Sequence, residues 1–108
     1  PVETERYLNN IYHQGYKIQM DVYVHILRKM NFKVSDTSYF YVCNADRNYR
    51  KFGGKLNFTT TLVPYKTNTS WIDKKIAEMK QTLDSENVPE INKSCERCMY
   101  LNAGKDFI

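Results

Sequence analysis

The sequence predicts an α/β fold, an antiparallel strand pair flanked by two main helices. Apolar residues recur at helical spacing through residues 16–31. Two runs rich in aromatic and β-branched residues, "TSYFYVCNA" (37–45) and "KLNFTTTLVPY" (55–65), lie either side of the turn-forming stretch "DRNYRKFGG". A second helical period, Ile72, Ile76, Met79 and Leu83, begins just after Ser70.

In chain order, "PVETERYLNNIYHQG" places Tyr7, Leu8, Ile11 and Tyr12 at helical spacing and closes on Gly15, a short helix or an ordered arm. The long helix then spans 16–31, with Asn31 suited to a left-handed C-terminal position. Wound at about 100° per residue, it gathers Met20, Val22, Tyr23, Val24, Ile26, Leu27 and Met30 into one apolar arc. Asp21, His25, Arg28 and Lys29 fill the opposite, wet face. On the second strand Leu56, Phe58, Thr60 and Leu62 share a face, and Pro64 marks an edge or a strand end. Ser70 and Asp73 form a capping-box-like start to the second helix. The tail, residues 88–108, has no clear period and is expected to be an irregular, cysteine-containing segment.

The length of 108 residues corresponds to one domain or a fragment of one, and the leading Pro1 fits a processed chain or a piece of a longer protein. An isolated strand pair is a marginal sheet, so the two strands either join others from elsewhere or form an unusually economical domain. A net charge of +4 suits a polyanionic partner without requiring one. The absence of a long apolar run or a signal-peptide pattern leads to the expectation of a cytoplasmic protein that does not enter a membrane. Three cysteines are too few for a disulfide framework and agree with that compartment.

Within "YKIQMDVYVHILRKM" one residue breaks the pattern: Gln19 falls inside the apolar arc. An amide buried without a partner costs about 1–3 kcal/mol. Gln19 therefore either bonds a backbone carbonyl within the core or lines a wet cleft beside Tyr23, four residues on.

The Gln-x-x-x-Tyr helix (Gln19, Tyr23), the aromatic strand, the second strand ending in Pro64, the helix opened by Trp71 and the terminal "PEINKSCERCMY" follow one another in an order that resembles a known family. From about Tyr16 to Tyr100 the chain resembles the C-terminal portion of RecB/Cas4-like nucleases of the PD-(D/E)XK superfamily. The resemblance implies the C-terminal part of a restriction-endonuclease-like core, DNA as partner, and Mg2+ or Mn2+ held by an Asp and a Glu-x-Lys upstream of the Gln-x-x-x-Tyr helix. By the same resemblance Gln19 and Tyr23 border the active site and bound DNA. Those upstream motifs have no counterpart before residue 19, and the pair Glu78 and Lys80 lies far downstream on a solvent-facing helix. This chain alone is thus expected to be inactive, its sheet completed by the missing N-terminal part or by another chain.

Cys95 and Cys98 stand at metal-ligand spacing, but zinc needs four ligands. Some relatives in the resembled family hold an iron–sulfur cluster with one upstream and three C-terminal cysteines, whereas this tail supplies two. Cys43, on the first strand, is expected to pack as a small apolar residue. The hairpin loop interleaves Arg47, Arg50, Lys51 and Lys55 with Tyr49 and Phe52, a composition that suits either phosphate contact with base stacking or a solvated turn. His13 and His25 have no ligand-spaced partner and are expected at the surface. The leading expectation is the C-terminal region of a metal-dependent DNA nuclease. The alternatives are a non-catalytic nucleic-acid-binding module and a small protein-interaction domain.

Overall fold

A computed structural model of the chain describes residues 1–48, 50–51 and 53–107. It divides into two compact units, Pro1–Ile72 and Asp73–Ile108.

In the first unit, α1 (Thr4–Asn9) and a 3-10 turn (Ile11–His13) lead into α2 (Gln14–Lys29). The helix runs through Gly15 instead of starting after it. Asn10 makes the break before it: its side chain accepts the Tyr12 N–H at 2.9 Å, and extended backbone at Asn10 separates the two helical segments. α2 ends as the sequence anticipates, with Asn31 at φ 68°. The Asn31 N–H donates to the Arg28 carbonyl and the Phe32 N–H to the Leu27 carbonyl, the double bond of a Schellman motif. Arg28 then ties the helix exit to the segment before β1, donating to the Val34 carbonyl at 3.1 Å and to Asp36 at 2.9 Å.

β1 (Thr37–Ala45) and β2 (Phe58–Lys66) pair antiparallel, with Phe40 opposite Val63 and Tyr41 opposite Leu62. Ser38, Phe40 and Val42, with Thr61, Val63 and Tyr65, form the covered face; Val63 is fully buried. Val24 of α2 and Ile72 complete the buried apolar core among the described residues. The other face, carrying Tyr39, Tyr41, Phe58 and Leu62, is open, with Tyr41 67% and Leu62 60% exposed. The face that the apolar pattern of β2 marked out is therefore the solvent side. Cys43 shares its parity and is exposed, not packed.

The main departure from the sequence reading lies on α2. Tyr23, Ile26, Leu27 and Met30 of the anticipated apolar arc are exposed, whereas Asp21 of the anticipated wet face is buried, 5% exposed. Asp21 Oδ1 accepts from the Tyr65 hydroxyl at 2.9 Å and from the Asn68 N–H at 3.1 Å; its Oδ2 accepts from Trp71 Nε1 at 3.0 Å. Three donors from β2 and the following loop replace the water a carboxylate would otherwise keep, and this decides which way the helix turns.

α3 (Ile72–Asp84) starts after Trp71, and the Ser70 hydroxyl and N–H both donate to the Asn68 Oδ1, at 2.6 and 3.1 Å, in an Asx-type turn before the helix. Of its apolar stripe, Ile72 is buried while Ile76, Met79 and Leu83 are exposed. Glu78 pairs with Lys75 at 2.9 Å and Lys80 with Asp84 at 2.7 Å, so both of these residues make local helix-surface pairs. The tail is more regular than anticipated: α4 (Glu96–Gly104) and a 3-10 turn (Lys105–Phe107) occupy it. Cys95 supplies the cap that starts α4. No helix among the described residues is long and apolar enough to cross a membrane.

Replacing Asp21 with Ala leaves three donors without their acceptor and should lower the unfolding free energy by about 3 kcal/mol. Urea titration followed by the fluorescence of the single tryptophan, Trp71, checks this. Burial, then the bond to Asp21, pushes the Tyr65 hydroxyl up to about 12 from 10.0. The folded state thus holds this proton more tightly: the stabilisation is complete below pH 10 and is lost as pH rises towards 12. The stability gap between the native chain and Tyr65→Phe should accordingly narrow over that interval, and a gap independent of pH would contradict it.

Candidate functional site

One helical turn of α2 carries Gln19 and Tyr23, and the structure joins them: Gln19 Nε2 donates to the Tyr23 hydroxyl at 2.7 Å. Both side chains are exposed, so the dry-core reading of Gln19 does not hold. With Asp21 turned inward, residues two positions away point about 200° round the helix, which directs Gln19 and Tyr23 away from the buried contact. The bond leaves the Gln19 Oε1, one amide N–H and the Tyr23 hydroxyl hydrogen available to an outside group.

Gln19, Met20 and Tyr23 form one wall of a cleft of about 410 Å³; Phe40, Tyr41 and Cys43 contribute to the other. Neighbouring positions of β1, of both parities, line it, so it runs along the edge of the strand and not over one face. That edge is open. The Asp46 N–H to Asn57 carbonyl bond and the Thr67 N–H to Asp36 carbonyl bond set the ladder phase. By antiparallel alternation, the even-numbered residues of β1 bond β2, while Tyr39, Tyr41 and Cys43 turn their N–H and C=O groups outward. The outer edge of β2 differs, because Pro64 removes a donor in mid-strand.

Two further clefts adjoin the first along β1. One, about 600 Å³, shares Tyr7, Tyr16 and Val42 with it and adds Arg6, His13 and Asn44. The other, about 570 Å³, continues from Asn44 to Asn48. His13 proves to be half-buried: its Nδ1 lies 2.8 Å from the Tyr7 carbonyl, and its ring sits 4.0 Å from that of Tyr7 and 5.6 Å from that of Tyr16. Burial, then the neighbouring Tyr16, raises the Tyr7 hydroxyl above its ordinary value. The sequence offered no pattern for this cluster, since its members come from α1, the 3-10 turn and α2; only the tight turn at Asn10 brings them together. His25 is also half-buried, not fully at the surface.

Arg47, Arg50, Lys51 and Lys55 are exposed in the loop between the strands, with Gly53 and Gly54 at positive φ providing its reversal. Tyr49 and Phe52, the aromatic residues named with them, lie outside the described residues.

Among the described residues, none of the side chains lining the Gln19 cleft is a carboxylate. A hard divalent cation takes oxygen ligands, chiefly carboxylates and water, so the residues of this cleft do not fit Mg2+ or Mn2+ by themselves. Cys95 and Cys98 are both half-buried at the start of α4, and among the described residues no group of three or more His, Cys, Asp or Glu side chains converges. The pair therefore falls short of a four-ligand zinc or iron–sulfur site within the described residues. Comparison with protein-family models, with curated proteins and with solved structures finds no match to this chain.

Because Gln19 and Tyr23 are exposed and bond chiefly to each other, Gln19→Ala should change the unfolding free energy by less than about 0.5 kcal/mol in a urea titration. A loss above about 1.5 kcal/mol would show that the pair is part of the packing after all.

Proposed function

We propose that this chain is the C-terminal region of a divalent-metal-dependent DNA nuclease, whose catalytic carboxylates lie in sequence outside it. The observation that carries this reading is the exposed Gln19–Tyr23 pair, set in a cleft along the open edge of β1. A strand added at that edge would bond the outward N–H and C=O groups of Tyr39, Tyr41 and Cys43. Its alternate side chains would then stand beside Gln19 and Tyr23. This is where the resemblance to RecB/Cas4-like nucleases requires the metal-binding residues to lie, within a restriction-endonuclease-like sheet. An amide and a phenol there would orient a phosphate or a base edge through hydrogen bonds, and the metal would polarise the phosphodiester and activate water. No step of hydrolysis is assigned to the groups of this chain. Gln19 and Tyr23 serve positioning, and Arg47, Arg50, Lys51 and Lys55 offer charge to the DNA backbone.

The test is to read the coding sequence upstream of Pro1 and to express the protein it specifies. Asp and Glu-x-Lys motifs upstream, with DNA cleavage that requires Mg2+ or Mn2+, are the expected result. Gln19→Ala and Tyr23→Phe should each reduce kcat about tenfold or more with folding intact. Absence of these motifs, or full activity in both variants, would overturn the reading.

The basic loop and the tyrosine-lined clefts also favour a second reading, a nucleic-acid-binding module without catalysis. Its signature is salt-dependent binding by the 108-residue chain with no metal-dependent cleavage by the longer protein. On either reading, changing Arg47, Arg50, Lys51 and Lys55 to Gln should flatten the plot of log affinity against log salt by about 0.7 for each single-strand phosphate that is no longer neutralised. An unchanged slope would remove the loop from the interface.

A further inference from the structure

We infer that Cys95 and Cys98 form a reversible dithiol–disulfide couple, with Cys95 the attacking thiol and Cys98 the resolving one. The inference concerns the unit Asp73–Ile108 and does not rest on the nuclease reading. Cys95 is the N-cap of α4, in extended backbone at φ −94° and ψ 112°, and its Sγ accepts the Cys98 N–H at 3.3 Å. Helix geometry places Cα atoms three residues apart at about 5 Å. Disulfides span Cα separations of about 4.4–6.8 Å, so the bond forms without unwinding α4. Both residues are half-buried, which leaves the sulfurs within reach of a small reagent.

The two thiols are not equivalent. The Cys98 N–H, then the Cys98 thiol and the Arg97 N–H, hold the Cys95 thiol below its ordinary value. Donation to Cys95 raises that of Cys98 above it. A sulfur at a helix start receives N–H groups that have no helical acceptor, and the positive end of the dipole favours its anion. Of the two, Cys95 therefore gives up its proton the more readily, the asymmetry that stepwise exchange uses. A structural metal asks for four ligands, whereas a disulfide uses only the two that are present.

In the first step the Cys95 thiolate attacks one sulfur of a small-molecule disulfide such as oxidised glutathione. The S–S bond of that molecule breaks, one thiolate leaves and takes up a proton, and a mixed disulfide forms on Cys95. In the second step Cys98 loses its proton to solvent and attacks the Cys95 sulfur, forming the Cys95–Cys98 bond and expelling the second small thiolate. The protein dithiol is oxidised, and the small disulfide is reduced to two thiols.

The 108-residue chain carrying Cys43→Ser, which removes the third thiol, is equilibrated in glutathione buffers of graded ratio, acid-quenched, labelled with maleimide and weighed. The expected result is a monomer that loses both labelling sites together as the buffer becomes more oxidising. With Cys98→Ser added, a glutathione adduct should accumulate on Cys95 about tenfold faster at pH 7 than it does on Cys98 in the Cys95→Ser counterpart. Persistence of both labels at every ratio, disulfides only between chains, or equal adduct rates on the two cysteines would overturn the proposal. Because the assay contains no DNA or divalent metal, its failure is separate from failure of the nuclease reading.

Discussion

The Asp21 carboxylate sets the geometry of the first unit. Removing such a group from water is costly, and the structure offsets the loss with three hydrogen bonds spread over residues 65–71. Those donors sit on the end of β2, in the loop after it, and on Trp71. Meeting them holds the strand end and the approach to α3 in place against α2. The rotation of α2 is a consequence, because Asp21 cannot face solvent and keep three protein donors. Val24, three residues on, shares the inward side and is the apolar residue of α2 that becomes buried.

Turning Asp21 inward commits the rest of the helix surface. Gln19 and Tyr23 project the other way, where they bond to each other and border the β1 cleft. Ile26, Leu27 and Met30 are left exposed, as are the tyrosines on the open face of the sheet. The first unit thus combines a satisfied polar hub, a small apolar core and extensive uncovered apolar surface. The two strand edges differ in the same direction. Pro64 deprives the outer edge of β2 of a donor, whereas β1 offers an uninterrupted row of backbone groups beside the cleft. Of the two edges, the β1 side is therefore the better suited to pairing with a further strand.

Strand alternation, turn composition and the C-terminal end of α2 were legible because each depends on neighbours within a few residues. Asn31 takes the left-handed position that ends α2, and both strands form near where their β-branched and aromatic runs lie. The α4 start was harder to see, since a cysteine is not among the usual capping residues and its sulfur bond to Cys98 replaces the expected oxygen. The inward side of α2 was not legible at all. Apolar periodicity assumes that the greasiest arc is buried, and that holds only when the buried surface is large enough to take it. Here the covered sheet face spans two strands, and a charged residue with long-range donors competes successfully for the contact.

Local spacing along the chain was enough for the two main helices and the strand pair in their order, for the charge of the hairpin loop, for the Cys-x-x-Cys spacing and for the adjacency of Gln19 to Tyr23 on one helical turn. Tertiary structure decided which side of α2 is buried, which face of the sheet is open, and that Tyr7, His13 and Tyr16 stack beside β1. The first set depends on local backbone geometry, in which spacing along the chain maps directly onto position. The second depends on contacts such as Tyr65 and Trp71 with Asp21, whose partners lie 44 and 50 residues apart and leave no periodic trace in the sequence.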